Sequence, residues 1–580
     1  MIQAPTPSAP RGHETTRARP RRRTRDPLLE AFERLVKRRP LAPLVMAESR
    51  RATAADVDSL ALAAHRALET RESPETPAAP RTPAAPKIGG RLAPGAVVAV
   101  AAANGPGLLA ALIAARRAGL AALLLDGQAP PAEALRIAQA LRASVLLRCA
   151  TPWPAALGDW EATRLPGAGL ECALHLPDAA VVKLTSGSTG EPRGIATSAA
   201  ALLADDAALV RTMGLRDDDR LVAAIPMSHS YGLSSLALPA LLRGTPLVMP
   251  EDGGLGGPLA AAERLGATVL PTVPAYLDAL LRLSDAPRRP PALRLVITAG
   301  APLSPRTAAA FREAYGLPVH VFYGASECGG ICYDREGGAA ERGTVGAPVE
   351  GVEVELLPAA LGAPAPDDPE GPEGTEGRES VGDDEAWRPA GASGGGGTLV
   401  VRSPAVAAGY VPDADPRLAG GRFVAGDIGA WRHGELVLLG RQDDMVNIKG
   451  KKVNPREVES VLGELHGVEE VVVLGVPVSD RGGEVLRAVI ACRPGGLTRD
   501  DVLAWCRDRL AAHKVPRSLI LVPEIPRGGR GKPDRAALLA LRAAPAPATP
   551  STPSGRPIPS VPGIADAEPK DGGRAPSGEE

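Results

Sequence analysis

Between Leu184 and Gly194 the sequence reads Leu-Thr-Ser-Gly-Ser-Thr-Gly-Glu-Pro-Arg-Gly. The hydroxyls of Thr185, Ser186, Ser188 and Thr189, the glycines Gly187 and Gly190 and the guanidinium of Arg193 fall in one short run. Glycines let a backbone come close to phosphate oxygens and adopt positive φ. Hydroxyls donate to those oxygens, and a planar guanidinium suits them. The spacing is not that of a Walker loop, because no G-x4-G-K-[ST] occurs in the chain. A Ser/Gly surface linker is the alternative. The apolar run at 181–184 and the helical pattern at 198–213 instead predict a strand before the loop and a helix after it.

This string resembles the signature loop of the adenylate-forming (AMP-binding) superfamily, of acyl-CoA synthetase type. That superfamily also includes peptide-synthetase adenylation domains and luciferases. Arg193 stands where Lys is more usual, which retains the charge. Further segments resemble that family's stations in its order, over roughly residues 90–541. Residues 225–233 (IPMSHSYGL) are similar to the segment that lines the acyl pocket and meets the nucleotide phosphates, which implies roles for His229 and Tyr231. Alone, His229 would be read as a structural histidine.

Residues 298–303 (TAGAPL) resemble the adenine-side turn, where Ala299, Gly300, Ala301 and Pro302 leave room for flat groups. Residues 322–327 (FYGASE) come next. By resemblance Tyr323 stacks on adenine beside Gly324, Ser326 bonds phosphate and Glu327 holds Mg²⁺, with Cys328 bordering the acyl pocket. Asp427, after Gly426, resembles the ribose-binding carboxylate, although Ala425 replaces a common Thr. Residues 440–444 (GRQDD) resemble the interdomain junction, with Arg441 on ribose or phosphate and Asp443 as hinge. Lys449 and Gly450 resemble the start of the loop presented for thiol transfer; a basic surface turn is the plainer reading. In 525–535 (IPRGGRGKPDR), Lys532 matches the catalytic lysine on a glycine-rich loop.

The resemblance implies activation of a carboxylic acid, fatty or aryl, by ATP and Mg²⁺ to acyl-AMP. Thioester formation with coenzyme A follows. Loading of an acyl carrier protein is the second reading, and a catalytically inactive nucleotide-binding protein is the third. Amino-acid-activating relatives carry an Asp just past the pocket station, and 230–234 (SYGLS) contain no acid, so an uncharged tail is expected. The formal G-x-S-x-G at 391–395 lies in a Gly-rich insert without a strand leading into a helix, so a hydrolase elbow is not expected.

These residues must be carried by alternating strands and helices. Apolar runs at 96–101 and 120–125 flank a helical pattern at 106–117, which predicts a βαβ unit and a parallel sheet. Similar strand candidates recur at 181–184, 221–225, 246–249, 268–270, 295–298 and 319–322, with a helical pattern at 274–283. The expected fold is α/β. A large N-terminal domain over 27–441 has mixed and parallel sheets with helices and a β subdomain, with strands at 398–402 and 435–439. A low-complexity insert at 358–397 is expected as a mobile surface loop. A small mobile α+β C-terminal domain at 442–541 follows, with helices at 455–465 and 499–512 and strands at 468–476 and 485–492. The arm at 1–26, the Pro/Ala segment at 75–86 and the tail at 542–580 read as disordered or linker chain.

Composition narrows the remaining classes. At 580 residues and net charge −1, with 3% aromatics, the chain has neither the basic footprint nor the stacking platforms of a nucleic-acid binder. Six dispersed cysteines do not form a disulfide framework, and Cys328 and Cys332 read as a helical or core pair rather than a zinc site. No apolar run of about 18 residues occurs, so no membrane span is expected. A cytoplasmic protein is the default expectation.

Overall fold

The computed structural model describes residues 26–69, 92, 95–149, 151–166, 178–186, 192–358, 396–441, 446–448, 451–477, 484–493, 495–528 and 533–541. The 1–25 part of the arm, the 75–86 segment, the interior of the insert and the tail from 542 lie outside the described residues. So do Gly187, Ser188, Thr189, Gly190, Asp443, Lys449, Gly450 and Lys532.

The first large sheet has seven strands, in the order Gly409–Val411, Pro192–Ser198, Ala179–Ser186, Ala121–Asp126, Val97–Ala102, Val145–Cys149, Trp160–Arg164. The expected βαβ unit is present, with Val97 beside Ala121 in parallel register and the helix Pro106–Arg117 between them. All of Val97–Ala102 is buried, as is the helix from Pro106 to Ala115. Burial on every side explains continuous apolar runs without alternation.

The expected strand–loop–helix order at the phosphate loop is corrected. Ala179–Ser186 pairs antiparallel with Pro192–Ser198, with Thr185 opposite Arg193, so the two strands form a hairpin before any helix begins. The helix Ala199–Met213 starts only after the second strand, where the Ser198 hydroxyl accepts from Ala201 N. Local chemistry favours this outcome. Ile195 and Thr197 are β-branched and buried, and Ser198 is a strong N-cap. Gly194 matters for its lack of a side chain, since a Cβ there would lie 2.5 Å from Val182 Cγ1 and 2.7 Å from Val411 Cγ2.

The second sheet has nine strands, and the run Pro43–Met46, Leu247–Val248, Leu221–Val222, Val269–Thr272, Leu295–Thr298, Val319–Ala325 is parallel throughout. The expected strands at 221–225 and 246–249 are shorter than their apolar runs. Leu295–Thr298 and Val319–Ala325 are adjacent, with Thr298 opposite Val321. Their carboxyl ends therefore present 299–302 and 326–327 side by side, where ligands bind in open α/β sheets. Val319–Ala325 then turns back as Gly329–Tyr333. Cys328 and Cys332 lie in that turn and strand, both buried, rather than on a helix.

A five-stranded antiparallel sheet follows, built on Arg422–Arg432, which pairs with Gly397–Arg402, Leu418–Ala419 and Glu435–Arg441. Pro358 pairs with Gly397, so the insert leaves and re-enters at the end of one strand pair. The C-terminal region holds the hairpin Val446–Ile448 and Lys451–Val453, the sheet Val468–Pro477, Glu484–Cys492, Ser518–Val522 and the helices Pro455–Gly463 and Arg499–Arg509. The second helix stops short of the expected 512 because Leu510 is extended. The fold is thus α/β, with a large N-terminal region of mixed sheets and helices and a small C-terminal region, as expected. Among the described residues no helix is long and apolar enough to cross a membrane, and the described cysteines are all free.

Candidate functional site

At the base of the hairpin, Thr185 Oγ1 donates to Arg193 O at 3.3 Å. The Arg193 guanidinium lies over the Tyr410 ring, 4.3 Å from its centroid, and 3.5 Å from Asp415 Oδ2. Tyr410 sits opposite Ile195 on the neighbouring strand. Its hydroxyl donates to Glu327 Oε1 at 2.8 Å. Burial and the adjacent Glu327 raise the phenol's pKa, which keeps it a donor.

Glu327 occupies the turn between Val319–Ala325 and Gly329–Tyr333, and its carbonyl accepts from Ala407 N at 2.7 Å. A Cβ at Gly324 would lie 2.6 Å from Gly329 O, so glycine lets these two strands close. Ser326 Oγ is 2.6 Å from Ser230 Oγ, and the Ser326 carbonyl accepts from Lys183 Nζ at 3.0 Å. The 225–233 segment, the 322–327 turn and the strand before the phosphate loop are therefore in direct contact.

Tyr231 commits its hydroxyl to Ile297 O at 3.0 Å and leans its ring on Phe322, with centroids 5.8 Å apart. It ties its segment to the strand Leu295–Thr298. His229 is half-buried at the start of the short helix Ser230–Gly232. Ala299 is buried, whereas Gly300, Ala301, Pro302 and Gly324 are exposed, and open space surrounds Gly300 at φ +87°. Cys328 is fully buried and its thiol pKa is pushed well up, first by burial and then by Glu327.

Across the site, Tyr323 donates to Asp427 Oδ2 at 2.6 Å, and Arg441 Nη1 lies 3.6 Å from Asp427 Oδ1. Asp427 and Arg441 face each other in one strand pair. Burial and Asp427 together raise the Tyr323 phenol's pKa well above its usual range.

The residues present fit a magnesium ion. Among the described residues no group of three or more His, Cys, Asp or Glu forms a metal cage. One half-buried carboxylate, Glu327, has a single oxygen engaged by Tyr410. Magnesium is commonly held by one or two carboxylates, with substrate phosphates and water completing its shell.

Lys183, Asp205, Ser230 and Tyr410 were not among the residues expected at the site. Lys183 had a visible signal, as a lone charge inside the apolar run 179–184. Asp205 had a weaker one, lying in helical register with buried Leu202 and Leu209.

Residues 90–411 match the family model described as AMP-binding enzyme, and residues 457–532 match that of the AMP-binding enzyme C-terminal domain. Feruloyl-CoA synthase from an Amycolatopsis species is 30% identical over 398 residues, covering 65% of this chain and 74% of its own. Oxalate–CoA ligase from Arabidopsis thaliana is 28% identical over 376 residues, covering 63% and 68%. Among solved structures, an amide bond synthetase from Marinactinospora thermotolerans aligns with TM-score 0.67 at 26% identity, over 88% of this chain and 99% of that one. The o-succinylbenzoate CoA synthetase from Bacillus subtilis, in complex with its acyl-adenylate intermediate, shares the fold with TM-score 0.67 at 20% identity, over 89% and 99%. Both family matches, in this order along one polypeptide, establish that the chain belongs to the AMP-binding enzyme family.

Proposed function

We propose that this protein is an acid–thiol ligase that activates a carboxylic acid as acyl-AMP and transfers the acyl group to coenzyme A. The observation that carries the reading is one continuous set of contacts. It runs from Arg193 through Tyr410 to Glu327, and from Ser326 to Ser230 and Lys183. Asp427, Tyr323 and Arg441 form the other bank. Phosphate groups at the first and ribose hydroxyls at the second would account for both.

In the first half-reaction a carboxylate oxygen of the acid attacks the α-phosphorus of ATP, a P–O bond forms, and pyrophosphate leaves. Chemistry of this kind depends on positioning and on neutralising charge. Glu327 would hold Mg²⁺, which supplies charge neutralisation on the phosphate oxygens. Arg193 and Lys532 add cations, Ser326 adds a donor, and Asp427 accepts from the ribose hydroxyls. In the second half-reaction the thiol sulfur attacks the acyl carbonyl and AMP departs with the mixed-anhydride oxygen.

The tail of the acid is assigned as uncharged, aliphatic or aryl. Open space surrounds Gly300, where nothing lies within 4 Å of an added Cβ, and no acidic side chain follows Tyr231 within 230–234. The test is a panel of such acids with ATP and Mg²⁺, and with either hydroxylamine or coenzyme A. Acyl-hydroxamate and pyrophosphate are expected with the first, and thioester and AMP with the second. Failure of every acid to release pyrophosphate would sink the reading. Hydroxamate without thioester would retain adenylation and move the acceptor to a carrier protein.

A further inference from the structure

Lys183 and Asp205 are buried charges that the chemistry above leaves unused, each about 5% exposed. They come from the two elements on either side of the phosphate hairpin. Lys183 lies on Ala179–Ser186, ahead of Thr185, and Asp205 lies on the helix Ala199–Met213 that follows the return strand. Both reach the same turn. Lys183 Nζ donates to Ser326 O at 3.0 Å at one end, and Asp205 Oδ1 accepts from Gly330 N at 3.0 Å at the other. Gly329 sits at φ +73°, and a Cβ there would lie 2.3 Å from Asp205 Oδ1, so the turn is shaped to admit the carboxylate. Burial lowers the Lys183 pKa, and Asp205, Cys328 and Glu327 act against that shift.

Two buried ionisable groups of this kind add little to stability by themselves, because each loses its hydration; apolar side chains of the same size do as well or better. A role in fold stability therefore does not account for them. We infer that Lys183 and Asp205 are positioning residues that clamp the 325–330 turn from below and fix Ser326 and Glu327 against the phosphate hairpin. This role deepens the proposed function and rests on its ATP–magnesium site. The strand is one arm of the hairpin and the helix follows the other directly, so a clamp made from both keeps the magnesium carboxylate in register with the phosphates it must share.

The experiment uses the full chain as Lys183→Met, Asp205→Asn and the double variant. Calorimetry measures ATP affinity with Mg²⁺ and with chelator, and melting temperature reports folding. Wild type is expected to bind ATP more tightly with Mg²⁺. Lys183→Met should lose about tenfold of that gain, the scale of one hydrogen bond from a charged group. It should also melt lower, because the buried Asp205 carboxyl loses the Lys183 charge that offsets its desolvation. The double variant should recover the melting temperature, since neither buried charge remains, yet keep the weakened magnesium gain. A double variant with the wild-type gain would overturn the clamp, as would a wild type with no gain at all. Hydroxamate formation by wild type tests adenylation separately. If it fails while the magnesium gain responds to the variants as described, adenylation falls and the clamp stands.

Discussion

A donor bound to one oxygen of a carboxylate leaves the other oxygen to face a cation. Tyr410 stands in that relation to Glu327 at 2.8 Å. Tyr410→Phe keeps the ring under Arg193 and removes only the donor. A hydrogen bond to a charged group contributes about 1.5–3 kcal/mol, so the Mg²⁺ needed for half-maximal hydroxamate formation should rise about tenfold or more. An unchanged magnesium titration would dismiss the contact as incidental. Lys532 is a different case, because its role comes from its match to a family loop. A cation about 4 Å from developing charge, at an effective dielectric near 20, is worth roughly 4 kcal/mol, or about three decades of rate. Lys532→Ala should accordingly cripple pyrophosphate release, and near-normal release would remove it from the mechanism. Asp415 makes a prediction about pH. Hydrogen bonds from Arg417 hold its carboxyl at about 2, below its ordinary 3.8. A carboxyl depressed in the folded state stabilises above its unfolded pKa, and the contribution is lost as pH falls through the folded one. The stability difference between wild type and Asp415→Asn should therefore be constant above about pH 5 and disappear as pH falls from about 4 to about 2. A difference that persists at pH 2 would contradict the assigned contact.

At the scale of elements, what matters is how closely two strands approach. Val319–Ala325 and Gly329–Tyr333 meet so tightly at Gly324 that any Cβ would strike the Gly329 carbonyl at 2.6 Å. Gly324→Ala should force the pair apart and move Tyr323, Ser326 and Glu327 together. Misplacement by about 1 Å can cost on the order of a hundredfold in rate. Loss of adenylation with an unchanged far-UV spectrum is the expected outcome, and retained activity would count against tight pairing. The same pair marks where sequence reasoning stopped. The parallel strands were legible because buried runs such as 97–102 and 295–298 carry only apolar or small residues. Gly329–Tyr333 was not, because Gly-Gly-Ile-Cys-Tyr lacks a two-residue period. The strand pair around 184–194 was misread as leading into a helix because Pro-Arg-Gly-Ile-Ala-Thr-Ser carries only a two-residue apolar run and the helical pattern begins directly after it. Motif residues such as Glu327 and Asp427 were legible through resemblance. Tyr410, Lys183 and Asp205 belong to no motif, and their proximity to the 325–330 turn depends on tertiary order, which local spacing does not encode.

At the scale of the molecule, the chain between the two family-matched parts packs against itself near the site. Asn454 caps the helix Pro455–Gly463 through Oδ1 and donates Nδ2 to Leu439 O, on the strand that ends at Arg441. A Cβ at Gly440 would lie 2.8 Å from Asn454 Oδ1, so the C-terminal part rests directly on that strand end. Adenylation as proposed needs Lys532 near the triphosphate, whereas the family resemblance implies that thiol transfer would bring Lys449 and Gly450 near the acyl carbonyl. On the proposed two-step reading, one C-terminal part would serve both steps by turning about the chain between Arg441 and Val446. Rotation there requires free φ, and proline locks φ near −65° while restricting the residue before it. Hinges of this kind are a few residues that absorb the dihedral change. Asp443→Pro should thus leave hydroxamate formation within about threefold of wild type and slow thioester formation tenfold or more, an added barrier of about 1.4 kcal/mol. The two rates are measured on the same preparation, with hydroxylamine and with coenzyme A as acceptor. Slowing both alike would mean that residue 443 only supports the fold, and the two chemical steps would then have to share a single arrangement of the chain.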